Sequence, residues 1–124
     1  MNLYRFTPQA SEDLLEIWAH IAADNPEAAD RVETAIYSAC DLIVQALLAG
    51  QMRKDLTSRS LRFWTLQRFP NYLIVYDPAT TPLQIIRILH GMRDVKRGAP
   101  GDVQLQPAPS RGQQRGTRGM EASA

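Results

Sequence analysis

The sequence predicts an α+β domain of order β-α-α-β-β-β, and three observations predict it. Apolar residues recur at helical spacing through the first half, interrupted once by Asp24-Asn25-Pro26. After Gly50 the pattern changes to three short runs of strand character. The turn signals between those runs, Phe69-Pro70-Asn71 and Asp77-Pro78-Ala79-Thr80-Thr81-Pro82, leave no room for crossover helices. A helix hairpin packed on one face of a three-stranded antiparallel meander, with one strand ahead of it, satisfies all three.

Taken in order, Leu3-Tyr4-Arg5-Phe6 reads as a first strand ended by Thr7-Pro8. Thr7 suits an N-cap and Pro8 the first helical position, where its missing N–H would have had no partner anyway. Leu14, Ile17, Trp18 and Ile21 carry the first helix through Ala23, with Glu12, Asp13 and Glu16 placed to favour the helix dipole. Asn25 and Pro26 repeat the capping signal, and Ala29, Val32, Ile36, Ala39, Cys40, Ile43 and Leu47 form a second stripe ending near Gly50. So short a break between amphipathic helices implies an antiparallel hairpin. Residues 51–60 read as a polar, basic loop. The strand runs are Leu61–Leu66, Tyr72–Tyr76 and Leu83–His90, and the last two are so apolar that they read as interior strands covered on both faces. A short turn or helix follows.

Residues 1–98 are the expected domain. From Ala99 to Ala124 the only large apolar residues are Val103, Leu105 and Met120, too few to offset ordering entropy, so this stretch reads as a disordered Gly/Pro/Gln-rich basic tail. Its Arg111, Arg115 and Arg118 suit weak, sequence-indifferent nucleic-acid contact or an inert extension. The lone cysteine, Cys40, excludes an internal disulfide and sits in the apolar stripe as a small buried hydrophobe. No apolar run approaches the roughly 20 residues that span a bilayer, and MNLYRFT lacks signal-peptide features, so a cytoplasmic protein is expected. His20 and His90, the only histidines, lie far apart without a ligand cluster, and no Gly-rich phosphate loop is present. No metal or cofactor is expected.

Charge is divided along the chain. Residues 1–50 hold two arginines against eight carboxylates, whereas residues 51–98 hold nine Lys and Arg against three. That layout points to a basic surface offered to an acidic partner by the second half, or to charges that folding intersperses.

Three segments narrow the family. Thr7-Pro8-Gln9-Ala10, Asp13–Trp18, Ile21-Ala22 and Asn25–Ala29 resemble the opening of ParE-type toxins of the RelE/ParE family. Leu61-Arg62 leading to Tyr72–Tyr76 resembles its middle strands, and Ile86–Asp94 its closing strand and turn. The resemblance covers residues 3–97 and leaves the tail outside. It implies the toxin of a type II toxin–antitoxin pair, held inactive by a cognate ParD-like antitoxin that lays a helix over the hairpin and adds extended chain along the sheet. Leu15, Trp18, Ala22, Leu42 and Ala46, with Leu48, lie on or beside the main stripes and are the candidate antitoxin contacts. Equally, they read as a broadened core.

Two targets occur on this fold. ParE-like members poison DNA gyrase by contact and need no catalytic residue; Arg93, Lys96 and Arg97 after Gly91 are the candidate target contacts. RelE-like members cut messenger RNA on the ribosome, which takes a base, an acid and cations for the phosphate. Here the candidates are Arg62, Arg87, His90 and Arg93, with Arg68 able to approach. Strand alternation separates Arg87 from His90 unless a bulge intervenes, and no tyrosine follows the final strand. Arg87 alternatively forms an ion pair with Asp13, Glu16 or Asp41, and His90 packs, caps or contacts a partner. The expectation is a gyrase poison, with a ribosome-dependent endoribonuclease or an inactive antitoxin-binding module as alternatives.

Overall fold

A computed structural model of the chain describes residues 3–91 and 94. The elements are β1 (Tyr4–Phe6), α1 (Pro8–Ala22), α2 (Pro26–Gln45), β2 (Arg62–Thr65), β3 (Tyr72–Asp77) and β4 (Leu83–His90). Arg93, Lys96, Arg97, the expected boundary after residue 98 and the tail lie outside the described residues.

Both helices start as their sequences dictate. The Thr7 hydroxyl accepts the Ala10 N–H at 3.1 Å and the Asn25 side chain accepts the Ala28 N–H at 3.1 Å, each followed by proline in the first turn. Two expectations about the helices are corrected. No acid occupies the first turn of α1; Asp13 lies a turn further on and is engaged elsewhere. Helix α2 stops at Gln45 instead of reaching Gly50, so Leu47 falls off the buried stripe and is partly exposed. Ala46 leaves the helix at φ −142°, ψ 70° because the chain must turn back toward β2.

The sheet order is β1-β4-β3-β2. Strands β2, β3 and β4 form the antiparallel meander, and β1 adds parallel to β4 with Tyr4 beside Leu83 and Phe6 beside Ile85. The two most apolar runs, β3 and β4, are the interior strands. The helices cover one face, where Ala10, Leu14, Ile17, Val32, Ile36 and Ile43 pack with Ile74, Tyr76, Ile85 and Ile88. Burial of each such large side chain contributes roughly 1.5–3 kcal/mol. The other face carries Phe63, Val75, Ile86 and Leu89, and its cover comes from Leu56 and Leu61. The loop read as polar therefore supplies part of a second core, with Thr57 buried beside Leu56.

A bulge lets Ile86 join that second core. The register shifts between Val75 and Tyr76, so that Val75 faces Arg87 while Tyr76 faces Ile85. Ile86 consequently packs with Leu89 and not with Ile88, as simple alternation would have it. Where the chain returns from α2 to β2, the Tyr76 hydroxyl accepts the Gly50 N–H at 2.8 Å. A Cβ at Gly50 would lie 2.8 Å from that hydroxyl oxygen and 3.0 Å from the Phe63 carbonyl oxygen, so the close approach requires glycine.

Candidate functional site

Because β1 is only three residues long, β4 runs past it and its later residues have an open edge. That edge is closed by side chains. The Thr7 hydroxyl donates to the Ile86 carbonyl at 2.9 Å, and Asp13 Oδ2 accepts the Ile88 N–H at 3.0 Å. Asp94 Oδ2 accepts the next outward N–H, that of His90, at 2.7 Å. Alternate N–H groups along the edge thus each meet a carboxylate, which is a strong acceptor for a backbone donor.

Arg87 belongs to the same arrangement. Its Nε and Nη2 donate to the two Asp13 oxygens at 2.7 and 3.0 Å, with Arg87 17% and Asp13 13% exposed. The Asp13 carboxylate, above all, holds the Arg87 pKa above its ordinary value against the opposing effect of burial, with further support from Asp94 and Glu16. Of the acids the sequence offered as partners, Asp13 makes the direct pair.

The candidate nuclease residues are distributed as follows. Register keeps Arg87 beside Val75 and His90 beside Tyr72, and the bulge lies upstream of both, so it does not bring them to one face. Arg62 sits on β2, beyond β3 from the last strand, and its Nη1 donates to the Gly50 carbonyl at 2.9 Å and the Leu48 carbonyl at 3.3 Å. One residue was missed. Tyr72 precedes the final strand in sequence, yet antiparallel pairing sets it opposite His90, ring edge to face, with centroids 5.4 Å apart. The signal was available in the meander itself, whose register returns the start of β3 to the end of β4. Among the described residues no cluster of three or more His, Cys, Asp or Glu could hold a metal ion, and no helix is long and apolar enough to cross a membrane.

The helix layer presents a different surface. Leu15 is 67% exposed and Leu42 52% exposed, although both belong to amphipathic helices. Leu15 borders a groove of about 480 Å³ with Phe6, Leu14, Trp18 and Tyr37, and the Trp18 Nε1–H donates to Asp30 at 3.0 Å across the hairpin. Leu42 borders a second groove, about 430 Å³, between α2 and the β2–β3 turn, with Ala35, Ala39, Trp64 and Leu66. Ala22 is half-buried and Ala46 exposed at the end of α2. Arg68 lies on the rim of the second groove, away from β4.

The sequence matches a family described as the ParE toxin of the type II toxin–antitoxin system parDE, over residues 4–95. The chain belongs to the ParE toxin family. Its fold is that of a solved structure described as the chromosomal ParDE TA system from P. aeruginosa, with a TM-score of 0.57 and 24% sequence identity over 70% of this chain and 92% of that one. A search of curated proteins gave no match. As a ParE toxin the chain is one half of a toxin–antitoxin pair, and its cognate partner is an antitoxin.

Cys40 takes no part in either surface. It is fully buried in the core, and burial pushes its thiol up to about 12, so it stays protonated and inert near neutral pH.

Proposed function

We propose that this ParE toxin arrests growth by gripping DNA gyrase in the cytoplasm through the basic segment after β4, and that a ParD-like antitoxin silences it by covering the helical hairpin. The observation that carries this reading is the fate of Arg87, the cation nearest the end of the last strand among the described residues. Its guanidinium closes on Asp13 at 2.7 Å and fixes α1 to the sheet. Arg62 is likewise held by the Leu48 and Gly50 carbonyls. A nuclease needs such cations turned toward a phosphate. Contact inhibition does not, and Arg93, Lys96 and Arg97 supply positive charge in the sequence directly after β4. Exposed Leu15 and Leu42 beside their two grooves support an amphipathic helix docking on the hairpin, as in helix-in-groove recognition. The P. aeruginosa structure of the same fold is described as a ParDE system.

A second reading, messenger cleavage on the ribosome, is favoured by one observation: the Tyr72 ring meets the His90 imidazole edge to face at the end of β4, and a phenol and an imidazole are groups that general acid–base catalysis can use. Induction of the chain from a tightly controlled promoter separates the two. Gyrase poisoning gives filamentous cells and a DNA-damage response, messenger cleavage gives rapid loss of translation, and unaffected growth marks an inactive antitoxin-binding module. Under gyrase poisoning, growth inhibition survives His90→Ala and is lost when Arg93, Lys96 and Arg97 are all replaced by alanine. The reverse pattern supports the nuclease.

A further inference from the structure

The groove of about 480 Å³ between the two helices is lined by carboxylates and by no cation. Helix α1 gives it Leu15 and Trp18, one turn apart, and α2 gives it Asp30, Glu33 and Tyr37 at matching helical spacing. Phe6 of β1 adds a third ring, 5.9 Å from that of Tyr37 and tilted by 46°. The Trp18 indole N–H donates to Asp30 Oδ1 at 3.0 Å, which ties the helices together and holds the indole in place. Glu33 has no such tie. Among the described residues it makes no side-chain hydrogen bond and no ion pair. Its negative charge reaches Tyr37, where it adds to the effect of burial in raising the phenol pKa.

Aromatic rings beside two carboxylates, one of them uncommitted, fit a cation. A guanidinium lies flat on an aromatic face and pairs with a carboxylate through its planar fork. Leu15, 67% exposed alongside, calls for an apolar neighbour on the same partner. The second groove carries Arg31 and Arg68, so like charge there directs a cation to the first.

We propose that Glu33, with Asp30, selects the antitoxin by charge: the groove takes a cationic side chain, a guanidinium by its fit, from the antitoxin segment that covers the hairpin, with an apolar residue of that segment against Leu15. This rests on the hairpin-docking reading above and names the partner's chemistry at that surface. An antitoxin without the cation would cover Glu33 and leave it unpaired, which weakens binding. One that brought a carboxylate would meet two groups of its own sign, so the groove rejects as well as attracts.

The test measures, by calorimetry, binding of the full chain to its purified cognate antitoxin. Glu33→Lys is expected to weaken binding roughly 30-fold, and Glu33→Gln by less. Both sit on the surface of α2, and their thermal midpoints should stay within about 4 °C of the parent. Each lysine and arginine of the antitoxin is then replaced by glutamate in turn. One of these variants is expected to bind Glu33→Lys more tightly than it binds the parent toxin, a reversal that damage to the fold cannot produce. Undiminished binding by Glu33→Lys overturns the proposal, and so does a loss that no antitoxin variant reverses. Leu15→Glu and Leu42→Glu separate this from the docking reading. If they weaken binding and Glu33→Lys does not, docking on the hairpin stands and the charge selection falls; if none of the three weakens it, both fall. Two other occupants are checked in the free toxin. Replacing Arg111, Arg115 and Arg118 together by glutamine should leave the Trp18 indole N–H resonance unmoved, and the toxin's mass in solution should be the same with and without Glu33→Lys. A moved resonance gives the groove to the chain's own C-terminal segment, a dimer parted by Glu33→Lys gives it to a second copy, and either overturns the proposal.

Discussion

Replacing Asp13 by alanine opens the seam between α1 and β4. The carboxylate accepts three hydrogen bonds, two from Arg87 and one from the Ile88 N–H. Truncation leaves a largely desolvated guanidinium and an edge N–H behind, and removing one partner of a buried pair costs about 3–5 kcal/mol. Both side chains retain some solvent contact, and Asp94 and Glu16 still favour the Arg87 charge, so the lower end applies, about 3 kcal/mol. That is a large share of the roughly 5–15 kcal/mol that holds a small domain together. In a domain of this size each kcal/mol moves the thermal midpoint by about 4–8 °C, so a fall of roughly 12–24 °C is expected. Urea unfolding of Asp13→Ala, Arg87→Met and the double variant gives the direct measure, read as midpoint changes at constant slope. The double variant should lose less than the two single losses combined, by about 1.5–3 kcal/mol. Strict additivity, or a cost below about 1 kcal/mol for Asp13→Ala, would refute the clasp between α1 and β4.

Three further outcomes follow from the packing. Tyr76→Phe strands the Gly50 N–H and costs about 1–2 kcal/mol by urea unfolding, whereas Gly50→Ala at the same contact forces the loop away from β2 and costs more. Thr7→Val removes both the α1 cap and the hydroxyl bond to the Ile86 carbonyl, for a loss of about 1–2 kcal/mol in the same assay. Cys40 should be silent toward a thiol reagent in the native protein from pH 7 to pH 9, since its thiol titrates at about 12, and should react fully in denaturant. Rapid labelling of folded protein would contradict its place in the core.

Local signals carried the element order well. Thr7-Pro8 and Asn25-Pro26 act within one turn of the backbone, so the helix starts could be read directly and are found where the caps place them. The last strand, Leu83–His90, is bounded by proline and glycine and ends where those residues stop it. What could not be read depends on contacts distant in sequence. The parallel pairing of β1 with β4 joins residues about 80 positions apart, and no local pattern specifies which edge it takes. The bulge at Ile86 answers to the second core, whose Leu56 lay in a stretch that reads as polar loop. The candidate site was legible in its chemistry and not in its arrangement. Asp13 was named among three acids as a partner for Arg87, but its simultaneous bond to the Ile88 N–H follows from the shortness of β1. Tyr72 was set aside because it precedes the final strand, and only the register of β3 with β4 sets it beside His90.

The most direct test adds the purified chain to two reactions in parallel: supercoiling of relaxed plasmid by DNA gyrase, and cell-free translation of a reporter messenger. Poisoning of gyrase through the segment after β4 predicts that supercoiling stops while translation proceeds and the messenger stays intact. A cut messenger with undisturbed supercoiling would contradict it and return Tyr72 and His90 to the centre of the mechanism.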